Sequence, residues 1–427
     1  MKFFIETYGC QMNIADSELI ASILIEAGHQ EVEQIEKADL LIFNTCSVRA
    51  HAENRVLGRI QSEKSRKKTN PSLKIGVVGC MAQRIGKELI EENTDIDFVL
   101  GVDQYQNLPE IIQEIDNKQY LLDLDSHQIY KGIQPSYHSD YCAYITIMRG
   151  CNNFCSYCIV PYVRGRERSR PWQDIVQETI FAGKQGRKDV TLLGQNVNSY
   201  FHSDVNFPSL LRKLNEVDEI YRLRFITSHP KDLSDELIEV MAISAKVCEH
   251  IHLPIQSGNN KILQAMNRKY TVEHYLELIN KLRNYIPNIA ITTDIMTGFP
   301  GETESDFRQT LKVLEEIGFD DAFCYKFSPR SGTVAANLPH QISEQERLER
   351  LQRMIDLQRN ITLKKNRNQI GQTVEIYVES FSKKSTDKVC GKTRDFKMAV
   401  LSGTQKDFGT LQKVEVKDAT ASTLICF

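Results

Sequence analysis

Met148-Arg-Gly-Cys151-Asn-Asn-Phe-Cys155-Ser-Tyr-Cys158-Ile-Val-Pro161 sets three cysteines at C-x3-C-x2-C on one short loop, directly after the apolar run 143–148. A structural zinc ion closes its shell with four ligands, usually as two cysteine pairs. Here the local set stops at three, and no nearby Cys or His makes an obvious fourth. Three thiolates suit a [4Fe-4S] cluster that keeps one iron open for a small molecule, because thiolates are the normal ligands of such clusters. The competing readings are a partial zinc site, or three unrelated small buried residues.

Downstream of this loop, apolar runs at 190–193, 223–227, 250–253, 290–295 and 322–327 repeat the 143–148 pattern. Helical patterns separate them, for example 172–184, 234–243, 272–284 and 304–317. Six strand-helix units suit a partial (β/α)6 barrel, which carries its chemistry on the loops after its strands. The cysteine loop is the first of these. Gln195, Ser228, His229, Gln256 and Asp294 lie in or after the second to fifth strands and converge near Cys151 as a polar ring. Taken singly, each also reads as an ordinary cap or turn residue. Thr297-Gly-Phe-Pro-Gly-Glu-Thr303 reads as a helix start capped by Thr303.

Upstream, short apolar runs at 3–5, 40–43, 75–78 and 98–100 alternate with helical patterns at 17–27 and 83–92. That alternation predicts an open parallel α/β sheet of the Rossmann or flavodoxin kind. Three of its strands end in a cysteine, Cys10, Cys46 and Cys80. The carboxyl ends of such strands share one edge, where ligands sit, so the three thiols can form a second three-cysteine site. The plainer alternative is a small buried thiol at each strand end.

The domain boundaries follow: 1–125, a Gly/Pro/Ser-containing linker at 126–140, the barrel over 141–367, and a last unit over 368–427. A charged helical pattern over 343–366 closes the barrel, and alternation at 372–378, 396–401 and 413–417 predicts a small antiparallel β-barrel. That unit carries Lys383, Lys384, Lys388, Lys392, Arg394 and Lys397 among Phe381 and Phe396. Basic groups with aromatics suit RNA, although a solvated surface explains them nearly as well. Arg164, Arg166, Arg168 and Arg170 form a strip that either holds phosphates or lies solvated. The same pair of readings covers the basic run at 64–68.

With 41% hydrophobic and 26% charged residues, the 427-residue chain has the composition of a globular protein of two or three domains. No apolar run reaches about 18 residues, so no transmembrane helix is expected. Glu6 interrupts the N-terminal apolar residues too early for a signal peptide, which points to the cytoplasm. In that reducing compartment eleven cysteines read better as ligands than as bridges. A net charge of −3 argues against a wholesale nucleic-acid coat, while 16 Lys/Arg against 11 Asp/Glu over 340–427 leave room for a local basic surface.

These motifs together give the chain a full-length resemblance to the radical S-adenosylmethionine methylthiotransferases. They are the C-x3-C-x2-C loop, the earlier Cys10, Cys46 and Cys80, Val160-Pro-Tyr-x-Arg-Gly-Arg, and His252-Leu-Pro-Ile-Gln-Ser-Gly258. Thr297-Gly-Phe-Pro-Gly-Glu-Thr303 and Ser328-Pro-Arg-Ser-Gly-Thr333 belong to the same pattern, with Ser331 where this branch often has Pro. Asn44-Thr-Cys-Ser-Val-Arg49 is most similar to the branch acting on isopentenyladenosine beside the tRNA anticodon, at position 37. The resemblance implies that Cys151, Cys155 and Cys158 hold a cluster whose open iron binds S-adenosylmethionine. It implies that Cys10, Cys46 and Cys80 hold an auxiliary [4Fe-4S] cluster that carries and donates sulfur. One S-adenosylmethionine then methylates that sulfur and another is cleaved to a radical that activates carbon 2 of the adenine. Gln195, Ser228, Gln256 and Asp294 become candidate S-adenosylmethionine contacts; Arg164, Arg166, Arg168, Arg170, Lys383 and Lys384 become candidate tRNA contacts. The last domain becomes a TRAM-type RNA-binding barrel. A flavodoxin or ferredoxin as electron donor, a sulfur source, no membrane partner and a monomer complete the expectation. Sister enzymes acting on threonylcarbamoyladenosine or on a ribosomal-protein aspartate share these features. An RNA-binding protein with structural zinc is the alternative from another class.

Overall fold

The computed structural model describes residues 1–47, 50–93, 95–114, 119–383, 385 and 387–427. The first unit is a six-stranded, wholly parallel sheet of β1 (Lys2–Thr7), β2 (Gln30–Glu31), β3 (Leu40–Thr45), β4 (Lys74–Gly79), β5 (Phe98–Leu100) and β6 (Gln119–Leu121), in the order β2-β1-β3-β4-β5-β6. β3, Leu-Leu-Ile-Phe-Asn-Thr, is buried at every position, as a central parallel strand covered on both faces must be. Its apolar residues divide by alternation: Leu40 and Ile42 join one core cluster, and Leu41 and Phe43 the other. The expected strands are all present, and the two-residue β2 and three-residue β6 extend the sheet at its edges. Helix α1 (Gln11–Glu26) begins earlier than its periodicity suggests, directly at Cys10, and α2 (Ala50–Thr69) is long and polar.

The barrel unit has its six expected strands, Cys142–Thr146, Asp189–Leu193, Arg222–Phe225, His250–His252, Ala290–Thr297 and Asp321–Lys326. They pair in parallel as two sets of three, and a bridge between Leu223 and Val247 links the sets. Alternate residues face the surrounding helices, so Ala143, Ile145, Val190, Leu192, Leu223 and Phe225 enter one large core cluster. Helix Glu304–Ile317 starts as its sequence predicts: Thr303 Oγ1 accepts the Asp306 N–H, and Asp306 returns the bond to the Thr303 N–H.

The C-terminal unit is a six-stranded sheet. It is antiparallel except where Met398–Ser402 runs parallel to Leu424–Ile425, which corrects the wholly antiparallel expectation. The turn between Lys388–Thr393 and Met398–Ser402 enters the N-terminal edge of the barrel, where the Phe396 ring stacks on His250 at 4.6 Å. Arg394 pairs with Glu249 at 2.7 Å, Lys397 with Asp320 at 3.1 Å, and the buried Arg222 donates to the Lys392 carbonyl at 2.6 Å. Arg394 and Lys397 are therefore clamps between units rather than a free basic surface. Lys383 is exposed, and Lys384 lies outside the described residues.

The 126–140 segment is irregular but not a loose tether. Tyr130 is buried, stacks on Tyr105 and donates to the Val102 carbonyl at 2.8 Å. The His138 N–H reaches Glu18 at 3.0 Å. Glu18 is 2% exposed, and its other oxygen has no hydrogen-bond partner among the described residues. Burial pushes its pKa up to about 7 against the pull of His138 and Arg187, and Glu178 adds to the rise. A carboxyl raised in the folded state holds a proton that the unfolded chain releases near pH 4.5. Stability should therefore fall as pH rises from about 4.5 to 7. Glu18→Gln should flatten that slope and stabilise the protein at pH 8 by on the order of 3 kcal/mol, read from urea unfolding at both pH values. An unchanged slope would contradict this account.

Among the described residues no helix is long and apolar enough to cross a membrane.

Candidate functional site

Cys10 follows the end of β1, Cys46 the end of β3, and Cys80 the end of β4. These strands are neighbours and parallel, with Thr7 opposite Asn44 and Thr45 opposite Gly79. Adjacent strands lie about 5 Å apart, so three successive strand ends bring their thiols to one place. Cys10 is exposed, whereas Cys46 and Cys80 are buried. Gly9 makes the approach possible: at φ +133° a Cβ there would stand 2.6 Å from the Cys46 Cβ. Beneath the edge, Asn13 donates to Asn44 Oδ1 and to the Thr45 carbonyl, both at 3.1 Å, which ties the first loop to the second.

The other trio sits on the loop after the first barrel strand. Gly150, at φ +77°, lets that loop pass so close to Arg166 that a Cβ would stand 2.0 Å from its carbonyl oxygen. The Cys158 N–H donates to the Cys155 carbonyl at 2.9 Å, and burial pushes the Cys158 thiol up to about 12 with Cys155 adding to the rise. Arg268, buried, donates to Cys155 Sγ at 3.4 Å, to the Pro254 carbonyl at 3.0 Å and to Tyr270 Oη at 3.0 Å. Nothing near Arg268 in the sequence marks it, because the thiol and the carbonyl that it meets belong to two other loops. Among the described residues no three thiols, imidazoles or carboxylates meet the geometry of a single metal ion. A cuboidal cluster binds each thiolate at a different corner, so it makes no such demand of either trio.

The loops after the second and third barrel strands offer acceptors. Gln195 Oε1, Asn196 Oδ1 and Ser228 Oγ are buried and have no hydrogen-bond partner among the described residues. Buried polar atoms are nearly always satisfied, so these three, on the loops after the second and third barrel strands, are available to a polar ligand. Gln256, at φ +67°, is held by its N–H on the Asp294 carbonyl at 2.9 Å. The Asp294 carboxylate faces His252 at 3.5 Å. His229 is not a free base: its Nδ1 accepts the Lys231 N–H, and burial, with the Arg268 and Lys231 charges, holds its pKa to about 2. Asn196 and Asn198 were not expected on this ring, although Gly194-Gln-Asn-Val-Asn198 carries them as polar residues at a strand end.

The arginine strip is corrected by the structure. Arg164 and Arg149 both close on Asp16 of α1, at 2.8 and 2.5 Å, with all three side chains buried. Arg168 makes two bonds to Asp103, at 2.9 and 3.1 Å, and Arg170 pairs with Glu178 at 2.7 Å. Three of the four arginines thus meet carboxylates rather than solvent; two of them clasp the barrel to the first sheet. Arg166 alone of the four is exposed, with its guanidinium 4.3 Å from the centre of the Phe154 ring. Phe154 in turn meets the half-exposed Tyr162 edge-on at 6.1 Å.

Residues 145–314 match the family model described as the Radical SAM superfamily, and residues 2–101 that described as Uncharacterized protein family UPF0004. The chain is 47% identical over 430 residues to the tRNA-2-methylthio-N(6)-dimethylallyladenosine synthase of Thermoanaerobacter sp. (strain X514), covering 99% of this chain and 91% of that protein. It is 47% identical to the synthase of the same name from Azobacteroides pseudotrichonymphae genomovar. CFP2, over 99% of this chain and 96% of that one. Among solved structures, the radical S-adenosylmethionine methyltransferase TsrM from Kitasatospora setae, with cobalamin and a [4Fe-4S] cluster bound, superposes with a TM-score of 0.55 at 14% identity. That match covers 78% of this chain and 74% of TsrM, a likeness of fold alone.

Proposed function

The chain belongs to the family of tRNA-2-methylthio-N(6)-dimethylallyladenosine synthases, and we propose that its two cysteine trios divide the family's reaction between them. It is a radical S-adenosylmethionine enzyme that places a methylthio group on the isopentenyl-modified adenosine of tRNA, with S-adenosylmethionine and [4Fe-4S] clusters as cofactors. When bound, those groups supply the one-electron chemistry, the methyl group and the sulfur. An aromatic C–H offers no acidic proton to a general base, so the side chains have positioning to do rather than acid–base work.

In this reading Cys151, Cys155 and Cys158 seat the cluster that meets S-adenosylmethionine, while the Gln195, Asn196 and Ser228 oxygens accept its polar hydrogens. Gln256 and Asp294 line the same mouth. Cys10, Cys46 and Cys80 seat the auxiliary cluster. Arg166, with Phe154 and Tyr162, offers a cation and two aromatic faces beside the cysteine loop, the chemistry that holds unstacked bases of an RNA loop. Lys383 is a second contact on the C-terminal unit, which we read as a TRAM-type RNA-binding domain over 368–427, after units at 1–125 and 141–367 joined by 126–140. A flavodoxin or ferredoxin donor, a separate sulfur source and a monomeric, cytoplasmic enzyme complete the proposal.

One observation carries it. Helix Val160–Arg164 starts two residues after Cys158, and its last side chain touches Cys80, so the two trios are neighbours across one interface. Adenine held between them faces both. Nucleoside mass spectrometry of tRNA from cells with and without the gene tests the assignment. The 2-methylthio isopentenyl nucleoside should vanish in the deletion, leaving the isopentenyl nucleoside. Its persistence in a strain without a paralogue overturns the substrate.

A further inference from the structure

Arg164 carries a feature that phosphate binding does not explain. It is 3% exposed, and Nε donates to Cys80 Sγ at 3.1 Å while Nη2 donates to Asp16 at 2.8 Å. Nη1 is buried with no hydrogen-bond partner among the described residues. Cys10 also lies within electrostatic reach of this guanidinium. The side chain belongs to the segment that follows Cys158, yet its partners all belong to the first sheet and its helices.

The second trio offers the comparison. Arg268 meets Cys155 Sγ at 3.4 Å, but its other bonds, to Pro254 and Tyr270, stay inside the barrel. Among the described residues each trio thus has a guanidinium on a sulfur, and the guanidinium at Cys80 comes from the other domain. Asp16 binds that same Arg164 together with Arg149, which stands two residues before Cys151. One carboxylate thus joins the entry of one cysteine loop to a ligand of the other site. The three charged groups carry a net positive charge in a place shut off from water, where screening is weak. Hydrogen bonds to sulfur and local charge are among the factors that set a cluster's reduction potential, and a nearby cation favours the more negative, reduced form.

We propose that Arg164 is a positioning residue for the auxiliary cluster: its bond to the Cys80 sulfur raises that cluster's reduction potential, and its anchorage on Asp16 fixes the cluster against the radical-generating loop. The proposal rests on the reading that Cys10, Cys46 and Cys80 hold a cluster. The test uses the full-length chain carrying Cys151→Ala, Cys155→Ala and Cys158→Ala, reconstituted anaerobically with iron and sulfide and titrated electrochemically with EPR detection. If this parent binds no iron, the cluster assignment fails. If it binds a cluster, Arg164→Met should shift the midpoint to lower potential and change the EPR line shape. Arg164→Lys, which keeps charge but not the Nε donor, should fall between the two. Arg149→Met loosens the same carboxylate without touching a thiol and should shift the midpoint less than Arg164→Met. Equal midpoints in the parent and Arg164→Met overturn the proposal, as does an equal or larger shift from Arg149→Met. Loss of iron from all three variants marks a purely structural role and also overturns it. Should Arg164→Met alone lose iron, Arg164→Lys decides, and a midpoint equal to the parent's overturns the assignment.

Discussion

Asp16→Ala is expected to lose about 3–5 kcal/mol of folding free energy, the range for removing one partner of a buried ion pair. Asp16 is fully buried and accepts hydrogen bonds from Arg149 at 2.5 Å, Arg164 at 2.8 Å and Tyr105 at 3.5 Å. Its removal strands two guanidiniums in the interface, where they cannot lose their protons and where they repel one another. Burial by itself would raise the Asp16 carboxyl, and the two guanidiniums overcome that penalty and hold it below its ordinary value. The sign follows from that depression. Its contribution is fully present above the unfolded carboxyl's pKa, near 4, and is lost as pH falls through the folded value. Urea unfolding at pH 7 should therefore separate parent and variant widely, and the gap should narrow in acid. Combining Asp16→Leu with Arg149→Met and Arg164→Leu should recover most of the lost stability, because apolar residues replace a buried ion network at little cost. It should not recover methylthio product if the triad positions the two sites. A loss below about 1 kcal/mol in Asp16→Ala would mean that the arginines find other partners.

The same triad shows where reading the sequence reaches its limit. Period and turn chemistry locate the six barrel strands, helix Trp172–Lys184 and the Thr303 cap, because each depends on residues within a few positions. Cys10, Cys46 and Cys80 can be grouped for a related reason, since strand ends in a parallel sheet share an edge whatever lies between them, while Cys151, Cys155 and Cys158 are grouped by spacing on one loop. α1 begins six residues before the first residue of its apolar pattern, since Cys10 as an N-terminal flank is no recognised cap. α2 hides behind its polarity. The arginines fail differently. Their spacing says that charge is concentrated there but not which carboxylates meet it, and Arg164 lies 148 residues from Asp16 and Arg168 65 from Asp103. A buried ion pair and a phosphate contact leave the same mark on the sequence. The basic residues of the C-terminal unit repeat the lesson, with Arg394 on Glu249 and Lys397 on Asp320. Of the acceptors at the barrel mouth, Gln195 and Ser228 are legible and Asn196 is not, and only the three-dimensional arrangement shows that Gln195 Oε1, Asn196 Oδ1 and Ser228 Oγ have no hydrogen-bond partner among the described residues.

Cys155→Ala and Cys80→Ala should fail in opposite ways, and together they test the division of labour. Cys155 sits on the loop after the first barrel strand, where its sulfur accepts from Arg268. Its loss should abolish both cleavage of S-adenosylmethionine and methylthio transfer. Cys80 is the first residue of α3 (Cys80–Glu92), after a strand of the first sheet, and its sulfur accepts a hydrogen bond from Arg164. Cys80→Ala should leave reductive cleavage within about threefold of the parent and cut methylthio product by more than about a hundredfold, roughly 3 kcal/mol of transition-state stabilisation. A folding defect does not explain that pattern, because removing one buried sulfur atom costs only about 1 kcal/mol. Both quantities come from one sample, with 5′-deoxyadenosine and the modified nucleoside measured by mass spectrometry after reduction and incubation with substrate tRNA. Product formation by Cys80→Ala would remove the auxiliary site from the reaction. Equal loss of cleavage in both variants would mean that the trios act as one unit. The adjacency through Arg164 makes that second outcome the sharper challenge, since a helix that reports on Cys80 starts two residues after Cys158. The structure favours separate failure because each trio is seated on its own strands, Cys151, Cys155 and Cys158 after the first barrel strand and Cys10, Cys46 and Cys80 after β1, β3 and β4.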